Sequence, residues 1–98
     1  MGAGYFYVRP QAVNDLDPAR TLLPRFLAEE ATPHVRRLLL ASIAEAAADS
    51  KIERREFNFN AIDVEIDFRE KRIVVADALT PETEFKLSLA DFVRALGL

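Results

Sequence analysis

Apolar and acidic side chains alternate without a break over residues 62–68, which read Ile-Asp-Val-Glu-Ile-Asp-Phe. Successive side chains of a β-strand point to opposite faces, so this period of two predicts a strand with one apolar and one acidic face. The acidic face carries Asp63, Glu65 and Asp67 at intervals of roughly 7 Å. Their like charges repel unless solvent or a cationic partner screens them. The alternation therefore predicts a half-buried strand whose open face suits a basic partner.

The composition bounds the classes of protein that this chain can belong to. Its 98 residues suffice for one domain, residues 1–98, and are too few for two. Half of them are hydrophobic and 30% are charged, which is typical of a globular protein. A net charge of −3 disfavours general binding to nucleic acid or to anionic membranes. We expect a cytoplasmic protein, since no run of apolar residues is long enough for a membrane span and the start lacks the basic region of a signal peptide.

Two proline-marked starts predict helices in the first half. The first helix, over residues 18–30, is expected to be broken at Pro24, which cannot donate to the preceding turn. Its inward side chains are predicted to be Leu22, Leu23, Phe26 and Leu27. The second helix, over residues 33–49, leaves Arg36 and Arg37 off its apolar stripe. That stripe has helical spacing and consists of Val35, Leu38, Leu39, Ser42, Ile43 and Ala46.

The second half changes from a period of 3.6 to a period of two. Phe57 and Phe59 share one phase, and residues 62–68 take the other. The slip near Ala61 predicts a bulge or bend between two half-strands, because one extra residue flips every side chain that follows it.

Turn and capping residues delimit the other elements. Strands are predicted at residues 5–8, 73–79 and 84–87, with a charged hairpin loop at residues 69–72 and a final helix that Ser88 starts and Gly97 ends. The expected fold class is α+β: a small antiparallel sheet, made of an N-terminal strand plus a three-stranded meander, packed against two or three helices.

Residues suited to catalysis are scarce. Cysteine is absent, which excludes disulfides, thiolate nucleophiles and Cys-based zinc sites. His34 is the only histidine and has no partner for acid–base or zinc chemistry. The three glycines fit no phosphate-binding loop. We therefore expect a protein that is not an enzyme and that needs no cofactor or metal.

Charged residues leave several alternatives open. The acidic strand face can be a plain solvated surface, a protein-binding surface or, less in keeping with three ligands from one strand, a metal site. Aromatic residues could form a binding surface for single-stranded nucleic acid together with five cations, Arg54, Arg55, Arg69, Lys71 and Arg72. Interleaved glutamates cancel much of that positive field, so nucleic acid is not the expected partner.

The order of elements after residue 60 resembles the small immunity proteins of contact-dependent growth inhibition and other polymorphic toxin systems. The resemblance lies in residues 60–68, in the return at residues 73–77 and in the ending at residues 85–93. It implies a small bacterial α+β domain in the cytoplasm that binds a cognate toxin domain, often a basic nuclease. It supplies no binding residues.

The spacing of the residues supplies a candidate interface for such a partner. We predict contact charges at Asp63, Glu65 and Asp67, helped by Glu82 and Glu84, with Tyr5 or Tyr7 as aromatic anchors. Two other functions stay open. One is a structural or regulatory homodimer that pairs through an exposed edge strand at residues 5–8. The other is a small-molecule binder or enzyme with a pocket between sheet and helices.

Overall fold

The first described helix changes character just after its proline. A computed structural model describes residues 18–97, and in it helix α1 spans Pro18–Arg25 and continues as a π-helical segment, Phe26–Glu30. Pro24 has no N–H to donate and its ring crowds the preceding turn, so the α-helical ladder cannot run on unchanged. The wider winding ends with a bond from Ala31 N to Phe26 O of 2.9 Å. The predicted break is thus a change of helix type.

Helix α2 spans Pro33–Ala48, close to the predicted range. Thr32 caps it, because its hydroxyl accepts a hydrogen bond from Val35 N at 3.2 Å. Leu39, Ser42 and Ala46 are buried along one stripe. Leu38 was expected on that stripe but is 45% exposed, since it lies one residue, about 100°, round the helix from Leu39.

The sheet is a four-stranded antiparallel meander in which each strand pairs with the next along the chain. Its strands are β1 (Arg54–Asn58), β2 (Ile62–Asp67), β3 (Arg72–Asp77) and β4 (Glu84–Ser88). The predicted slip near Ala61 is a complete reversal of the chain, so residues 54–58 pair back onto β2 as a strand of their own. The predicted strand at residues 5–8 lies outside the described residues.

Helix α3, Leu89–Ala95, follows β4 directly. Ser88 caps it by accepting a hydrogen bond from Asp91 N at 3.0 Å, as the sequence predicts. The chain leaves the helix through Gly97, whose φ of +76° is a conformation that suits glycine.

The helices share one face of the sheet and enclose one core. Leu22, Phe26, Leu39 and Phe92 from the helical side pack with alternating residues of the central strands, namely Ile62, Val64, Ile66, Ile73 and Val75. The ring of Phe26 lies 5.5 Å from that of Phe59 and 6.0 Å from that of Phe92. The fold class is therefore α+β, as predicted, with the apolar face of residues 62–68 turned to the helices.

Arg36 ties the ends of three helical segments together. Its guanidinium donates to Ala31 O at 2.8 Å, to Leu96 O at 2.5 Å and to Leu27 O at 3.3 Å. These carbonyls lie at the ends of the π-helical segment and of α3, where backbone acceptors lack helical partners. The side chain is half-buried, although the helical pattern had placed it off the apolar stripe.

Candidate functional site

The sheet surface that faces away from the helices is the candidate site, and we call it the outer face. It is formed by the alternate residues of the four strands that do not join the core. Its members are Arg54, Glu56 and Asn58 of β1, Asp63, Glu65 and Asp67 of β2, Arg72, Val74 and Ala76 of β3, and Glu84, Lys86 and Ser88 of β4. No described helix packs on it. Five carboxylates and three cations give it a surplus of negative charge.

The predicted acidic row lies on this face, and each member has a partner within the chain. Asp63 accepts a hydrogen bond from the Asn58 amide at 2.9 Å, and Glu65 pairs with Arg54 at 2.6 Å. Asp67 accepts from Glu70 N at 2.9 Å, which fixes the β2–β3 hairpin. All three residues are half-buried on an inner strand. The acidic row is therefore accessible, but its carboxylates also form hydrogen bonds and an ion pair that stabilise the sheet.

Charge on the outer face differs between its two ends. At the end where β2 begins, Asp63 and Glu84 flank the small side chain of Ala76. We call this the acidic end, and Glu82 lies next to it in the β3–β4 turn. At the opposite end Asp67 lies between Arg54 and Arg72. The acidic end therefore carries most of the negative surplus, and Asp67 contributes least to it.

Between the two ends Glu56 lies directly opposite Glu65. Like charges directly opposite each other on neighbouring strands are destabilising. Arg54 offsets part of this repulsion through its diagonal ion pair with Glu65. Glu56 has no ion-pair partner among the described side chains, so it adds an unneutralised carboxylate next to the acidic end.

The other predicted contact residues have different surroundings. Glu84 pairs with Lys86 of its own strand at 3.4 Å, and this pair is largely solvated. Glu82 is exposed. Tyr5 and Tyr7 lie outside the described residues, so their predicted role as anchors is untested.

Two carboxylates outside the outer face shape the loops at the acidic end. Glu30, from the π-helical segment, accepts a hydrogen bond from Ala61 N at 3.1 Å and so holds the β1–β2 turn. Asp77 holds the β3–β4 turn by accepting from Leu79 N at 2.8 Å and Thr80 N at 3.1 Å. These backbone donors, first that of Leu79 and then that of Thr80, hold the pKa of Asp77 below its ordinary value.

Leu79 is the surface residue that sequence reasoning missed. The apolar run at residues 73–79 predicted it to be in a strand, but β3 ends at Asp77 and Leu79 is 91% exposed. The available signal was the Asp at position 77, whose side chain favours a turn over the residues that follow it. The acidic end therefore combines carboxylates with one fully exposed apolar side chain.

Other candidate sites have less support in residues 18–97. His34 is exposed in the first turn of α2, on the helical side of the molecule. No group of three or more His, Asp or Glu side chains in that range is placed to hold a metal ion. A cleft of about 360 Å³ lies between the end of α2 and the β2–β3 hairpin, and its lining includes Ser50 and Glu53 but not His34.

Comparison of the chain with protein-family models, with curated proteins and with solved structures finds no match. Within the described residues, none of the helices has the length and apolar character required to cross a membrane.

Proposed function

We propose that this chain is an immunity protein, a non-catalytic inhibitor that binds a cognate toxin domain and neutralises it through the acidic end of the outer face. The observation that supports this proposal is the open outer face, which no described helix covers and on which carboxylates outnumber cations. A basic nuclease is the toxin class that this surface fits best.

The proposal has a simple physical basis. Nucleases hold phosphate with Lys and Arg side chains, so carboxylates presented at the same surface compete with the nucleic acid. Complementary charge raises the association rate and selects the partner, while apolar anchors supply most of the affinity. An inhibitor of this kind needs a stable surface of negative charge and no catalytic group.

The distribution of charge indicates which end of the outer face forms the centre of the interface. Asp63, Glu82 and Glu84 lie at the acidic end. The cations there are Lys86, which pairs with Glu84, and Arg25, which pairs with Asp77, so carboxylates still outnumber them. Asp67 lies between two arginines at the other end. We therefore place the centre of the interface at the acidic end and assign Asp67 a minor part in it.

A co-expression experiment tests the function. The probe is the C-terminal domain of the protein that is encoded directly upstream of this chain's gene. We expect that domain to arrest growth when expressed alone, growth to be restored when this chain is present, and the two purified proteins to bind one to one. An upstream domain that is harmless, or toxicity that this chain does not relieve, would refute the proposal.

Charge reversal then tests the surface. The double variant Asp63→Lys with Glu84→Lys should weaken binding by at least about tenfold, mainly through slower association, because like charges then meet across the interface. The matched control, Glu29→Lys with Glu70→Lys, makes the same change in net charge outside the outer face, at two exposed residues that form no ion pair with other described side chains. Equal effects of the two double variants would show that only net charge matters and would remove the acidic end from the mechanism.

A further inference from the structure

Leu79 has an unusual position for a large apolar side chain. It is 91% exposed, twice the exposed fraction of Leu38, the other exposed leucine of the described residues. It lies in the connection between β3 and β4, two residues after β3 ends. Isolated apolar side chains on a surface are ordinary, so exposure alone assigns no role to Leu79.

The backbone that carries Leu79 is held from several directions. Asp77 accepts from the N–H groups of Leu79 and Thr80, and its own N–H donates to Thr83 O at 3.1 Å. Thr83 N donates to Thr80 O at 2.8 Å, and Arg25 pairs with the other carboxylate oxygen of Asp77 at 3.6 Å. Leu79 is thus presented on an ordered turn while its side chain contacts little of the rest of the described residues. Ordering that is already present in the free protein lowers the entropic cost of binding.

The charges around Leu79 select the kind of partner. The turn is joined to the β1–β2 turn by a bond from Ala78 N to Ala61 O at 2.9 Å, which places it at the acidic end of the sheet. Glu82 lies in the same turn, and Glu84 begins the next strand. The nearby cations, Arg25 and Lys86, are each paired with a carboxylate, so the rim keeps a net negative charge. An apolar tip within a negative rim matches an apolar socket within a Lys- and Arg-lined rim. A second copy of this chain would bring carboxylates against carboxylates, and anionic lipid would be repelled.

We infer that Leu79 is the apolar anchor of the interface and that it inserts into a socket surrounded by cationic side chains on the toxin domain. This inference rests on the proposed function and adds to it the residue that supplies affinity. Charge at the acidic end then governs the association rate, and Leu79, buried once the complex has formed, governs the dissociation rate.

The test compares two leucine substitutions against the same probe, the C-terminal domain of the protein encoded directly upstream. Leu79→Ser should raise Kd about thirtyfold, mainly through faster dissociation, which is the effect expected of an interface hot spot. Leu38→Ser is the matched control, because Leu38 is also exposed but lies on α2, and its Kd should stay within about twofold of the wild-type value. Thermal unfolding of Leu79→Ser should match the wild type, since Leu79 is 91% exposed, whereas Leu38→Ser should unfold at a slightly lower temperature because Leu38 is partly covered.

The possible results distinguish the anchor role of Leu79 from the proposed function. Tight binding by the wild type with an unchanged Kd for Leu79→Ser overturns the anchor while leaving the proposed function standing. Absence of wild-type binding overturns the proposed function and the anchor with it. A dimer of the isolated chain that Leu79→Ser dissociates would show that the socket belongs to a second copy, which also overturns the inference.

Discussion

Replacing Arg36 with Met should destabilise the fold more than any other change to a charged side chain of α2. The substitution keeps an unbranched apolar stem and removes a guanidinium that donates to three carbonyls. Hydrogen bonds from a charged donor contribute about 1.5–3 kcal/mol each when buried. Two of the three bonds are short, the third is long at 3.3 Å, and the group is only half-buried, so we take the low end for two bonds. The expected loss in the free energy of unfolding is about 3 kcal/mol.

Urea unfolding followed by circular dichroism at the helical band measures this loss directly. A domain of this size has a total stability of about 5–15 kcal/mol, so the midpoint should fall clearly. The control is Arg37→Met, one position along the same helix, where the side chain is exposed and the expected change is within about 0.5 kcal/mol. Arg36→Lys should recover only part of the stability, because a compact ammonium lacks the planar fork that reaches three carbonyls at two helix ends. Equal midpoints for Arg36→Met and Arg37→Met would refute the reasoning.

Three smaller predictions concern the sheet and its turns. Asp77→Asn should lower the melting temperature at neutral pH, and the difference from the wild type should disappear as the pH falls below about 4. The reason is that a carboxylate whose pKa is lowered by folding stabilises the fold above its ordinary pKa and loses that contribution as it becomes protonated. A difference in melting temperature that did not depend on pH would contradict this. Ser88→Ala should cost about 1 kcal/mol in urea unfolding through the lost cap of α3, whereas Ser88→Asp should preserve the cap. Glu56→Lys should stabilise the fold by about 0.5 kcal/mol in the same assay, since it replaces a like-charge pair with Glu65 by an opposite-charge pair.

The predictions that the structure confirms rest on short-range patterns. The alternation in residues 62–68 is compatible with only one secondary structure, because a period of two with a half-buried face fits only a strand. Ser88 caps its helix as predicted because a cap involves a side chain and a backbone group three residues away. The order and type of these elements could therefore be predicted without any tertiary information.

Long-range contacts account for what could not be predicted. Arg36 bonds to a carbonyl 60 residues away, so no local pattern distinguishes it from its exposed neighbour Arg37. The slip near Ala61 predicted a bulge or bend, and only the pairing of β1 with β2 shows that the chain reverses there. The same limit applies to the candidate site: sequence predicted the acidic row, but its ion pairs and the exposed Leu79 depend on the register of the sheet and the shape of its turns.

The facing pair Glu56 and Glu65 offers a test that distinguishes the proposed interface from a merely solvated surface. A sheet optimised for stability alone would place opposite charges at these facing positions, yet this chain keeps two carboxylates there and concentrates its arginines at the far end of the face. Under the proposed function the repulsion is a cost of keeping negative charge open to a cationic partner. Glu56→Lys should then do two things at once: stabilise the isolated chain and weaken its protection of cells against the upstream domain. A variant that gained stability and kept full protection would show that this part of the face plays no role in binding.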